Sequence, residues 1–140
     1  MKNLIFLMAF ILMVGLTFGQ TLQKSAVVAV GSYDIVLNPD VTMKQFLDFY
    51  TTKYIPEFEK SFSGIKAYLI SGDRGEKKNQ IGEIWLFESV ALRNKYFPVE
   101  NDTTMNEAVK VATAKMKTMD AEAGKYVKSW NRVYTDWIIK

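Results

Sequence analysis

The chain has 140 residues, 49% of them hydrophobic and 14% aromatic, with 18 Lys and Arg against 15 Asp and Glu and neither His nor Cys. The missing Cys excludes disulfides and thiol catalysis, and the missing His removes the commonest general base, metal ligand and haem ligand. Any chemistry must come from carboxylates, Lys, Arg, Tyr, Ser or Thr; no metal and no cofactor is expected. The near balance of charge, with no basic stretch on one face, argues against nucleic acid as a partner.

The N-terminus has one positive side chain, Lys2, followed by an uncharged apolar run from Leu4 to Leu16. A membrane-spanning helix needs about 20 such residues. This shorter run, meeting Thr17-Phe18-Gly19-Gln20, has the layout of a secretory signal peptide, with Thr17 and Gly19 at the small-residue cleavage positions. Residues 1–19 are therefore read as a signal peptide and 20–140 as a single domain. The expected location is secreted or periplasmic, with no stable membrane insertion after cleavage; the competing reading is an uncleaved anchor. Having no Cys, the exported domain must be stabilised by its core.

Ala26 to Leu37 is rich in β-branched residues and ends at Asn38-Pro39-Asp40, which predicts a first strand closed by a turn. Thr42 and Gln45 have capping-box spacing. Met43, Phe46, Leu47, Tyr50, Tyr54 and Phe58 recur at helical steps, predicting a helix to about Phe62 with a kink or brief break near Tyr54 and Ile55, caused by Pro56. Ile65 to Ser71 and Ile81 to Phe87 read as two strands of a hairpin around the polar, glycine-containing segment 72–79, with Tyr68 roughly opposite Trp85. Ser89 caps a short helix that Pro98 closes. Thr103 or Thr104 caps a longer one bearing Met105, Ala108, Val109, Ala112, Met116 and Met119, read as core methionines. Ser129 to Ile139 supplies a last strand.

The order βαββαβ is that of an α+β, ferredoxin-like domain, with a four-stranded antiparallel sheet and two main helices on one face. Both faces of the central hairpin are apolar. Helices cover only one face, and a second copy of the same sheet is the expected cover for the other, making the chain its own partner in a homodimer. Tyr54-Ile-Pro-Glu-Phe-Glu-Lys60 leading to Gly64-Ile-Lys-Ala-Tyr-Leu69, then Glu83-Ile-Trp-Leu-Phe-Glu-Ser89 and Tyr134-Thr-Asp-Trp-Ile138, resemble the dimeric α/β-barrel superfamily of ferredoxin-like proteins, which includes antibiotic-biosynthesis monooxygenase-like, EthD-like and NIPSNAP-like domains. That resemblance implies a dimeric α/β barrel with a ligand pocket between sheet and helices. Many members that do chemistry use a His, which this chain lacks.

If Ala67, Leu69, Ile84 and Leu86 pack on the helices, then Lys66, Tyr68, Glu83 and Trp85 point the other way, with Glu83 able to pair with Lys66. Tyr33, Tyr68, Glu83, Trp85 and Trp137 are the candidate ligand-binding residues; their competing role is interface core. No catalytic residue is assigned. Asp34, Glu83 and Asp136 are the strand carboxylates whose pKa burial could raise. The charges of Asp73, Arg74, Glu76, Lys77 and Lys78 read as a solvated hairpin tip rather than a phosphate grip. The function expected is binding of a small hydrophobic or aromatic ligand. The alternatives are a cofactor-free monooxygenase or isomerase using Tyr and carboxylate, and an interaction module.

Overall fold

The computed structural model describes residues 22–98 and 107–140. The signal-peptide segment lies outside the described residues, as do Thr103, Thr104 and Met105. Strand β1 (Val27–Leu37) ends as expected at the Asn38-Pro39-Asp40 turn, where Asp40 takes a left-handed φ of 66°. Helix α1 (Met43–Phe49) starts on a complete capping box: the Thr42 hydroxyl accepts from Gln45 N–H while the Gln45 side chain accepts from Thr42 N–H.

Pro56 does not break the helix. A π-helical turn (Tyr50–Tyr54) runs directly into α2 (Ile55–Ser61), which places Pro56 in the first turn of a new α segment, where its missing N–H leaves no gap in the ladder. The Ile55 N–H reaches back to the Tyr50 carbonyl, and the hydroxyls of Thr51 and Thr52 bond the carbonyls of Leu47 and Asp48. The irregularity expected near Tyr54 and Ile55 is this π turn, which gives way to α geometry at Ile55.

Strands β2 (Ile65–Ser71) and β3 (Ile81–Phe87) form the expected hairpin; α3 (Val90–Tyr96) is capped by Ser89, and α4 (Glu107–Ala123) precedes β4 (Val127–Ile138). The antiparallel sheet has the order β2-β3-β1-β4, with both main helical layers on one face. Strand order and helix placement together define the ferredoxin-like α+β fold. No helix among the described residues is long and apolar enough to cross a membrane.

The hairpin register differs from the sequence expectation by one residue. Ala67 pairs with Trp85 and Tyr68 with Ile84, so Ala67, Leu69, Glu83, Trp85 and Phe87 share the helix-covered face, while Lys66, Tyr68, Ile84 and Leu86 share the other. Lys66, Tyr68, Glu83 and Trp85 therefore do not lie on a common face. A shift of one residue exchanges the faces of a whole strand, and with apolar residues at both parities of β3 the pattern holds nothing to pin it.

Under the helices the core forms two clusters. One joins Val27, Phe58, Phe62, Ile65, Phe87 and Met116; the other joins Phe46, Phe49, Tyr50 and Ala123, with Trp130 packed against it. Ala112 and Met116 are buried and Met119 packs at the edge, as expected of core positions on α4. The opposite face of the sheet carries Val28, Val30, Tyr68, Ile70, Ile84, Leu86, Val133 and Trp137. It remains open to solvent in the single chain: Val133 is 72% exposed, Trp137 59% and Tyr68 46%.

Candidate functional site

Glu83 is 1% exposed, a carboxylate in the middle of the sheet beneath the helices. Its cross-strand neighbours are Gly31 on β1 and Leu69 on β2. Three donors converge on it. The Tyr50 hydroxyl, from the π turn, donates to Oε1 at 2.5 Å; the Tyr33 hydroxyl, from β1, donates to Oε2; and Trp85 Nε1, two residues along β3, donates to Oε2 at 2.9 Å. Burial of a carboxylate is tolerable only with such satisfaction of its lone pairs.

Burial first, and then the negative charge of Glu83, push the phenols of Tyr33 and Tyr50 well above their ordinary pKa of 10.0. Tyr54 is raised in the same direction, by burial and then by Asp120, to which its hydroxyl donates at 2.9 Å. All three tyrosines are thereby held as neutral donors.

Beside Glu83 lies a cavity of about 240 Å³ whose lining draws on both core clusters: Tyr33, Tyr50, Tyr54, Phe58, Trp85 and Trp130, with Glu83 and Arg132 as its charged members. The rings are mutually braced. Trp130 stacks on Tyr33 at 5.7 Å between centroids and presents its edge to Tyr50 and Tyr54, which stack on each other at 4.8 Å. Trp130 and Arg132 come from β4, opposite Ile35 and Tyr33 of β1, and thus fall on the helix-covered face.

The Arg132 guanidinium lies over the Trp85 ring at 3.9 Å and over Tyr134 at 4.7 Å. It reaches Trp85 across Gly31, where a Cβ would stand 3.0 Å from Arg132 Nε, so the glycine keeps this path open. A second, wider hollow of about 470 Å³ also borders Arg132 and Trp85, and includes Arg93 and Asp136, which pair with each other.

Of the five candidate residues, the structure brings Tyr33, Glu83 and Trp85 together around the cavity. Tyr68 and Trp137 lie on the opposite face of the sheet and do not line it, a consequence of their strand parity. The suggested Lys66–Glu83 pair is also corrected: Lys66 pairs with Glu59 at 2.8 Å, on the outer side of the hairpin, and Glu83 belongs to the tyrosines. Asp34 is exposed and accepts from Gln80. The Asp73–Arg74 pair at the hairpin tip is solvated, as its composition implied.

Sequence reading missed Tyr50, Tyr54, Trp130 and Arg132 as lining residues. The two tyrosines were legible only as members of an apolar helical face. No group of His, Cys, Asp and Glu among the described residues could hold a metal ion.

The site is thus a carboxylate that accepts three hydrogen bonds beside an aromatic cavity on a ferredoxin-like sheet. No protein-family model matches the chain, and no curated protein matches it. Solved structures similar to it include an uncharacterized NIPSNAP-like domain protein from Burkholderia xenovorans, at 13% identity and a TM-score of 0.49, covering 80% of this chain and 84% of that one. A NIPSNAP family protein from Agrobacterium tumefaciens has 12% identity and a TM-score of 0.49 over 79% of this chain and 90% of that one. A dimeric protein of unknown function and ferredoxin-like fold from Bacteroides fragilis has 13% identity and a TM-score of 0.38, over 83% and 98%.

Proposed function

We propose that the protein is an exported homodimer that binds a small aromatic or apolar molecule in the cavity between sheet and helices. The observation that carries this reading is the cavity itself: about 240 Å³ lined by six aromatic side chains, with Glu83 and Arg132 as its charged groups. Pockets that are mainly apolar with a few placed polar groups are the usual form of small-molecule sites. At this volume, below the roughly 300 Å³ at which drug-sized pockets begin, the occupant is of one-ring size.

Binding is favoured over proton transfer by the state of the phenols. Tyrosines whose pKa is pushed above its ordinary value stay protonated, which leaves no phenolate to act as a base and makes the phenols weak acids, and both oxygens of Glu83 are already engaged by donors.

Dimerisation is supported by the outer face, where Val30, Val133, Tyr68 and Trp137 are exposed on one side of a sheet. A self-complementary face of this kind suits a two-fold partner. Burying even about 400 Å² of apolar area per subunit gives on the order of 20 kcal/mol gross, enough to exceed the cost of association.

Export rests on the Lys2 and Leu4–Leu16 layout. Native mass spectrometry of the protein purified from its own host tests both assembly and binding. The expected species is a dimer retaining a small molecule, and a ligand-free monomer overturns the reading.

A further inference from the structure

Arg132 is an unresolved charge in an otherwise satisfied site. Its Nε and Nη2 are buried and have no hydrogen-bond partner among the described residues. The nearby carboxylates are taken: Glu83 accepts from Tyr33, Tyr50 and Trp85, and Asp136 pairs with Arg93. Buried guanidinium N–H groups left without an acceptor are costly, so each calls for an acceptor from outside the chain: a water, an ion or a group of a bound molecule.

We propose that Arg132 anchors a carboxylate carried by the bound molecule, so that the cavity takes a small aromatic monocarboxylate. This inference rests on the reading of the cavity as a ligand site.

The geometry selects a carboxylate. Nε and Nη2 form the side-on edge of the guanidinium, whose two parallel N–H groups match the two oxygens of one carboxylate. Stacking on Trp85 and Tyr134 fixes the plane of that fork; its Nε and Nη2 are buried against their neighbours, Gly31 among them, so a ligand carboxylate reaches them as the adjoining side chains part. The ligand's ring then meets the rings of Tyr33, Tyr50, Tyr54 and Trp130, which line the same cavity. Glu83 disfavours a dianion, because its negative charge already occupies the enclosure and a phosphate would add two more. A planar monocarboxylate adds the least negative charge beside Glu83, supplies acceptors to the unpartnered N–H groups of Arg132, and leaves the Glu83 hydrogen bonds undisturbed.

The test is a pair of titrations of the full chain with benzoate and with its uncharged counterpart benzamide, at fixed ionic strength near neutral pH, read by tryptophan fluorescence. Benzoate is expected to bind at least about tenfold more tightly than benzamide, the scale of a charge-assisted bidentate contact. In Arg132→Gln the ratio of the two affinities should fall to near one, and Arg132→Lys should recover part of it. The wild-type comparison stands by itself if a variant fails to fold.

Equal binding of benzoate and benzamide overturns the anchor while leaving the cavity as a ligand site. If neither perturbs the tryptophans, the cavity reading fails and the anchor with it. Displacement of benzoate by an equal concentration of inorganic phosphate overturns the assignment to carboxylates.

Discussion

The hydroxyl of Tyr50 donates to Glu83 Oε1 at 2.5 Å, a bond between the π turn of the long helix and the middle of the central strand. It ties the helical layer to the sheet at the one buried carboxylate among the described residues. Because Tyr33 and Trp85 converge on the same side chain, Glu83 is structural and site-forming at once.

Removing that acceptor strands two buried phenols and the half-buried indole of Trp85. Glu83→Ala should destabilise the protein by about 3 to 5 kcal/mol, and Glu83→Gln, which keeps one acceptor oxygen, by about 1 to 2 kcal/mol. Urea melts with a shared slope give both values. A loss of about 0.5 kcal/mol for the alanine variant, typical of a surface change, would show that the network does not hold the helix to the sheet.

The tyrosines impose an alkaline limit. Tyr33, Tyr50 and Tyr54 all have folded-state pKa values above their ordinary 10.0, so their contribution is fully present below that pH and is lost as pH rises through and beyond it. Above about pH 10 the unfolded chain releases phenolic protons that the folded chain retains. Stability should then fall by about 1.4 kcal/mol per tyrosine per pH unit. Tyr50→Phe should flatten the slope by one tyrosine's share. A stability that stays level between pH 9 and 11, measured by denaturant titration at about half-unit steps, would contradict the burial of these phenols.

Charge on the outer face should separate the subunits. Val133→Glu or Tyr68→Glu places a carboxylate in the exposed apolar sheet face without entering the core. Sedimentation equilibrium should give a dimer mass for the wild type and a monomer mass for either variant, with the circular dichroism of the fold retained. Trp85→Glu is expected to behave differently, unfolding the chain, since Trp85 packs under the helices against Phe58 and Phe97. A wild-type mass of one subunit at tens of micromolar would leave that face without its second copy.

The N-terminus should be processed. Protein recovered from the cell envelope or medium is expected to begin at or near Gln20, following the Thr17-Phe18-Gly19 site. N-terminal sequencing that returns Met1 from a membrane fraction would replace the export reading with an uncleaved anchor.

Element boundaries and fold order were legible because each rests on local chemistry. The Thr42 capping box, the Ser89 cap and the β-branched runs of β1, β2 and β3 act within a few residues of themselves, and the observed elements begin and end where those signals stand. Pro56 was legible as a perturbation but not in its outcome. Which irregularity accompanies a proline in a helix depends on what packs against the turn, and here Tyr50 and Tyr54 are held by Glu83, Asp120 and Trp130.

By itself the sequence determined the α+β class, the order of the elements, and the absence of His and Cys chemistry, since composition and short-range spacing suffice for these. Only the tertiary structure decided which face each strand turns to the helices. Apolar residues at both parities of β3 leave the register free until Ala67 is seen opposite Trp85, and that one-residue difference sends Glu83 and Trp85 inward and leaves Tyr68 outside. The cavity is likewise a tertiary product. Tyr33, Tyr50, Glu83, Trp130 and Arg132 lie on four separate elements, and no spacing along the chain records that their side chains meet, because contact between a helix and three strands is set by packing rather than by sequence distance.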